Sequence, residues 1–569
     1  QDNSTLCLPS TWNASRFGFG RGSFFGGGRQ SRSVTEGSME VAYEAGGGEP
    51  GYIAPDPLDV DQFYSGTNNG QYIDKYNRRL NTSREVAPYP WFYSGEPAKD
   101  LVERWQWTFP IIFSPIDPKT LYASSNRLWR TTNGGRTWDQ MSPDLTRADP
   151  STLGHSGGPI TGDMNGPEVY ATIFAVGPSK VDVNVIWTGS DDGLVHVTRD
   201  GGKTWNKVTP PDMPDFGRVS QIDASAFDAG RAYLSVRRPL LDDFAPYIWK
   251  TTDYGQSWTK IVSGIRGDAY VHAVREDPTR RGLLYAATQH GVYISYDDGA
   301  HWQGLNPSLP DLPIVDLIVE KNELVITAHG RGFWILDNLA PIRQAAPNLT
   351  ARPSILFKPA VAYRSANGVT LSWWLAQAPE AARLEILDAA GTVVRTYSMA
   401  DSTKPRDRWA GPALPAKAGL NYIQWDLATT PGVTFPGMIL WGVRTLSPVV
   451  PPGQYQVRLT ADGRSSTASV EVRRHPWITD VTDEDLQAQY QFGQQIRDRV
   501  NEANGAVVVI RSVKTQLAAR LKESSDPALA AAAKTLEDHA SEIEAQIYQV
   551  KNRSNQDPLN FPIRVNNRL

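Results

Sequence analysis

Through the first 340 positions, apolar and polar residues alternate in short runs, as in Leu194-Val-His-Val197, Leu121-Tyr-Ala123 and Asn322-Glu-Leu-Val-Ile-Thr327. A period of two predicts half-buried strands, and the runs are bounded by Gly, Pro, Asn and Asp, the residues that turns need. Four of the runs end in one pattern, Ser/Thr-x-Asp/Asn-x-Gly-x-x-Trp. The copies are Thr131–Trp138, Thr198–Trp205, Thr251–Trp258 and Ser295–Trp302. An Asx-x-Gly core between extended segments predicts a hairpin turn, with Gly at positive φ and the Asx side chain bonded to backbone amides. The trailing Trp is suited to burial against a neighbouring sheet. Asn133, Asp200, Asp253 and Asp297, with Trp138, Trp205, Trp258 and Trp302, are therefore read as structural residues. A catalytic group has no reason to recur in every repeat.

The spacing of the copies suits a four-stranded unit of about 40–45 residues with loop insertions. Six such units are countable between residues 49 and 340, and Gln1–Leu8 supplies strand material for a seventh. The fold expected is mainly β: a β-propeller of six to seven blades, whose radial stacking hides strand edges. Residues 341–357, with three prolines, read as a linker. Residues 358–475 alternate again, as in Val369-Thr-Leu-Ser-Trp373 and Gln454-Tyr-Gln-Val-Arg-Leu459, and predict an immunoglobulin-like sandwich without a Cys pair. After Pro476 the period lengthens. Leu486, Tyr490, Val500, Val507 and Leu521 mark one helix, and Leu529, Leu536, Ile543 and Ile547 mark a second beyond Ser525-Asp-Pro527. Two helices bury a stripe poorly, so residues 476–569 read as a truncated hairpin with its packing partner outside the chain.

Composition adds limits. The chain has 569 residues and a formal charge of −4, which gives no reason to expect nucleic acid. Cys7 is the single cysteine, so neither a disulfide framework nor a cysteine zinc cluster can form within the chain. No apolar run is long enough for a membrane span. Residues 1–48 form a Gly/Phe-rich arm, and Phe17, Phe19, Phe24 and Phe25 on it suit a docking loop, with a locally packed surface loop as the plainer reading. Asn3, Asn13, Asn81, Asn348 and Asn552 head glycosylation sequons. The ends read as those of a processed piece of a longer protein.

The four motifs resemble Asp-boxes, or BNR repeats, of sialidases, sortilin-type propellers and two-propeller xyloglucan hydrolases. Gly46-Gly-Gly-Glu-Pro-Gly-Tyr-Ile-Ala-Pro-Asp56, Gln106-Trp-Thr-Phe-Pro110, Ala328-His-Gly-Arg-Gly-Phe-Trp-Ile-Leu-Asp337 and Leu559-Asn-Phe-Pro-Ile563 resemble the large exported bacterial proteins labelled sortilin-like or BNR-repeat glycosyl hydrolases. The sandwich resembles the Ig-like domain of flagellar hook-capping proteins. The resemblance implies an exported protein, periplasmic, outer-surface or extracellular. The Phe/Tyr-Arg-Ile-Pro signature of sialidases is absent. The xyloglucan hydrolases set two aspartates across a cleft between two propellers, and Asp56 or Asp163 is a candidate for one of them, with turn capping as the plainer role. His329 and Arg331, flanked by glycines, are candidates for lining a central channel, or else belong to a tight turn. No His-Glu-x-x-His occurs, and neither metal nor cofactor is expected. The leading expectation is a scaffold binding a protein or peptide, as sortilin-type propellers do, or a peripheral subunit of a larger exported or membrane assembly. The alternative is a glycan hydrolase with paired carboxylates.

Overall fold

The structure is a computed structural model. It describes residues 51–66, 72–91, 93–166, 168–305, 308–345, 349–364, 368–400, 411–443, 447–476 and 478–569, with the backbone of the paired strands Leu6–Cys7 and Tyr43–Glu44. Phe17, Phe19, Phe24 and Phe25 lie outside the described residues. The chain divides into two compact units, Gln1–Leu339 and Ala340–Leu569.

The first unit is a series of antiparallel meanders, each a four-stranded sheet in chain order except the sixth, which has three strands. They begin at Ile53, Ile111, Ile173, Arg218, Val271 and Ile314. Their cores lie between sheets. Tyr64 and Ile73 of the first pack with Ile111 and Leu121 of the second. Tyr122 and Leu128 then meet Ile173 and Ile186. Trp187 and Val195 meet Val219 and Leu234, and Tyr233 and Ile248 meet Val271 and Leu284. The strand Val271–Glu276 lies against Ile314–Glu320 of the sixth. The second to fifth meanders are thus packed on both faces, and their second strands are almost wholly buried. In the third to sixth meanders the register of the first strand slips at the same place, between Ile173/Ala175, Val219/Gln221, Val271/Ala273 and Ile314/Asp316. Phe174, Ser220, His272 and Val315 are the extra residues of these bulges.

All four Asx motifs fold alike. Asn133, Asp200, Asp253 and Asp297 each accept, through Oδ1, a side-chain hydroxyl two residues earlier and a backbone N–H four residues later, at 2.8–3.1 Å. The next two residues are both left-handed, including Tyr254 (φ 61°) and Asp298 (φ 63°). Each Trp indole N–H then donates to a carbonyl of the preceding meander, just past its outer strand: Trp138 to Val86 (2.7 Å), Trp205 to Met141 (3.0 Å), Trp258 to Val208 (2.7 Å) and Trp302 to Ile261 (2.8 Å). The motif glycine lands on that same residue. A Cβ on Gly135, Gly202, Gly255 or Gly299 would meet Val86, Met141, Val208 or Ile261 at 2.4–2.8 Å.

In the second unit, two sheets share one core. Ser354–Leu356, Val369–Leu375 and Gly419–Trp425 form one, and a five-stranded sheet containing Ala382–Leu387 and Gly453–Ala461 forms the other. Trp373, Trp425, Ile386 and Val457 pack between them. The segment read as a linker thus contributes a strand, Ser354–Leu356, paired with Val369–Leu375. The helix Asp483–Glu523 starts on a capping box of Thr482 and Asp485. The helix Pro527–Ile547, capped by Asp526, follows it. Arg511 and Lys514 of the first both donate to Glu544 of the second, at 2.8 and 2.7 Å. A packing partner for part of the stripe lies within the chain: Phe435 and Met438 cluster with Val507 and Tyr548. Leu529, Leu536 and Ile543 remain exposed. No helix among the described residues is long and apolar enough to cross a membrane.

Candidate functional site

The bulges collect side chains at one end of the first strands. Arg218 and Arg237 are register partners on adjacent strands of the fourth meander. Like charges directly opposite on a sheet repel, yet neither guanidinium has a carboxylate partner among the described residues. The neighbouring Arg238 does, with Asp243 at 2.8 Å. Phe174, the bulge residue of the third meander, offers its ring face to Arg218, 4.9 Å from the guanidinium carbon. His272, the bulge residue of the fifth, sets Nδ1 2.8 Å from Arg237 Nη1. A guanidinium only donates, so His272 accepts through Nδ1 and is neutral with its proton on Nε2. Burial, then the Arg237 charge, lowers the His272 pKa to about 4, with Gln289, as an acceptor, opposing the shift and His329 adding to it. Burial, then Arg218, also brings Arg237 down to about 10.

Beside this pair the chain makes a short apolar finger. Pro239–Leu241 forms a single turn closed by Asp242 at φ 56°, and Leu240, Leu241 and Phe244 stand in solvent. Phe244 contacts Tyr270 (ring centroids 6.2 Å apart), and Tyr270 contacts His272 (5.0 Å). An aromatic row therefore runs from the finger to Arg237.

Asp191 lies behind Arg218, in the turn after Ile186–Ser190. Its oxygens take the backbone N–H and hydroxyl of Thr172 at 2.9 and 2.8 Å. Burial raises its pKa to about 7 against the Thr172 backbone bond, with Asp192 adding to the rise and Arg218 opposing it. A carboxyl whose charged form is disfavoured by burial is a weak counter-ion for the arginines.

The opposite end of the same strands is balanced. Asp223 pairs with Lys180 (2.9 Å) and Arg275 (3.7 Å), and Arg275 reaches Asp316 (3.5 Å). Arg218 and Arg237, without such partners among the described residues, lie at the bulged end.

Of the residues singled out by sequence, Asp56 and Asp163 fall elsewhere, whereas His329 lies near enough to His272 to act on its charge. Asp56 closes its own turn, accepting from the Leu58 N–H at 2.9 Å, in the first meander. Asp163 accepts from the Ser156 hydroxyl in the loop between the second and third. No shared contact joins them. His329 and Arg331 are exposed on the turn between Glu323–Ala328 and Gly332–Leu336, with the His329 N–H donating to the Pro313 carbonyl at 2.9 Å. The arginine pair carries no sequence motif. The signal that could have found it is the doublet Arg237-Arg238 at the end of an alternating run, where one arginine had to face the sheet opposite to its neighbour.

No protein-family model matches the chain, and no curated relative matches it in sequence. Among solved structures, a GH74 xyloglucanase from Xanthomonas campestris is similar at 18% identity and a TM-score of 0.36, covering 73% of this chain and 66% of that one. YCF48 bound to D1 peptide is similar at 16% identity and 0.27, covering 48% and 80%. PorZ, a surface component of the type-IX secretion system of Porphyromonas gingivalis, is similar at 15% and 0.27, covering 74% and 51%. The chain thus spans 66% of the xyloglucanase's length and about half of PorZ's.

Proposed function

We propose that residues 49–340 form an Asp-box β-propeller of six to seven blades, followed by an Ig-like sandwich and a helical hairpin. In this reading the whole serves as an exported scaffold that binds a protein or peptide partner, alone or as a subunit of a larger assembly. The observation that carries this reading is the arginine couple, without a carboxylate partner among the described residues, beside an exposed apolar finger. That arrangement is costly to the free protein and useful once an anionic, partly apolar ligand arrives. YCF48 binds the D1 peptide, and PorZ is a surface component of a secretion system.

The competing reading is a glycan hydrolase, which needs two carboxyl groups within about 5–10 Å across a bond. Asp56 and Asp163 are instead each engaged in their own turns. A screen of plant and bacterial glycans with the full chain, repeated with Asp56→Asn and Asp163→Asn, tests the choice. The scaffold reading expects no turnover in any of the three proteins and saturable binding of a peptide library. Turnover that disappears with either substitution overturns it.

A further inference from the structure

The unpaired arginines specify their ligand more closely than "a peptide". We infer that Arg218 and Arg237 hold a carboxylate of a bound peptide, while Leu240, Leu241 and Phe244 pack against an apolar side chain next to it. This deepens the scaffold reading and rests on it.

Four observations converge. The two guanidinium groups face each other across one strand pair with no carboxylate between them among the described residues. An anion inserted there converts repulsion into two charge-assisted interactions, and the planar fork of arginine matches the two oxygens of a carboxylate. The surroundings hold the arginines without neutralising them: Phe174 supplies a ring face, and His272, confined by burial to its neutral form, accepts one N–H of Arg237. Asp191, the nearest acid by its influence, already has both oxygens bonded to Thr172. Finally, three bulky apolar side chains stand in solvent within seven residues of Arg237, on a turn fixed by proline and a left-handed Asp242. That much exposed apolar surface beside a charged pair suits a ligand with both characters.

The carboxylate has two sources in a peptide, its own C terminus or an Asp/Glu side chain. Three fluorescent hexapeptide libraries separate them. One has Leu/Phe at the last two positions and a free C terminus with no acidic residue. The second is the same set as C-terminal amides. The third is amidated with an internal Glu beside Leu/Phe. Fluorescence anisotropy with the full chain is expected to show saturable binding of the first or the third, and at least tenfold weaker binding of the second. Arg218→Gln and Arg237→Gln are each expected to weaken binding by about tenfold or more while leaving the melting temperature unchanged or raised, because they remove a repulsion. Leu240→Ser/Leu241→Ser, which change only exposed positions, are expected to weaken binding with no loss of stability. Equal binding of the amide library overturns the inference, as does binding unaffected by both arginine substitutions. In those cases the scaffold reading survives with its site elsewhere. If no library binds and an oligouronate does so through the same arginines, the site belongs to a glycan and both readings fall.

Discussion

Gly299 tests the seam between the fourth and fifth meanders. Its φ of 85° is left-handed, and an added Cβ would lie 2.4 Å from Cδ1, 3.0 Å from Cβ and 3.1 Å from Cγ1 of Ile261. Gly299→Ala therefore carries two costs. The left-handed backbone with a Cβ costs about 1–2 kcal/mol, and forcing a methyl into a packed contact costs about 1–3 kcal/mol more. Ile261 is held through its own backbone, its N–H donating to the Ile248 carbonyl at 2.9 Å and its carbonyl accepting from Trp302, so it has little room to retreat. Gly330 is the control. Its φ is 79°, but a Cβ there meets nothing within 4 Å, so Gly330→Ala carries the backbone cost alone. Urea unfolding of the full chain, followed by tryptophan fluorescence, should show Gly299→Ala losing about 2–5 kcal/mol and Gly330→Ala about 1–2 kcal/mol, with similar m-values. Equal midpoints for the two variants would refute the idea that the motif glycine is required by close approach and not only by its backbone angle.

Two further outcomes follow from the same geometry. Trp205→Phe keeps most of the apolar contact but leaves the Met141 carbonyl without its indole donor, and should cost about 1 kcal/mol in the same urea titration. Asp191 has a folded-state pKa near 7, above its ordinary value near 3.8. The folded protein therefore holds this proton where the unfolded chain has lost it, and the contribution of Asp191 to stability declines as pH rises from about 4 to about 7. Asp191→Asn cannot ionise, so its stability relative to the parent should climb across that window and level off above it, as measured by melting temperature against pH.

The sheets and the four turns were legible because their signals are local. A period of two, an Asx-x-Gly turn and a following Trp lie within a dozen residues, and nothing distant is needed to read Asp200 as a turn acceptor or Trp205 as a packing residue. The indole's destination was not legible, since Met141 lies in the preceding meander and is specified only by how sheets stack. The arginine site was hidden for the same reason. Arg218 and Arg237 become neighbours only through a register that slips at Val219/Gln221, and Phe174 and His272 reach them only because each is the extra residue of a bulge. Bulges re-aim side chains without leaving a pattern in a single sequence. The strand Ser354–Leu356 within the linker-like stretch 341–357 is too short to show alternation. Phe435 and Met438, which cover part of the helical stripe, sit in a proline- and glycine-rich stretch without periodicity, so nothing in the sequence points to them.

The tryptophan contacts also have a direction. Each indole reaches back to a carbonyl of the meander before it, never forward. During synthesis the acceptor at Val86, Met141, Val208 or Ile261 leaves the ribosome before its tryptophan does. These four seams can then close behind the growing end, each using a surface that is already in place. At these four seams the apolar faces that would otherwise invite aggregation are covered one at a time.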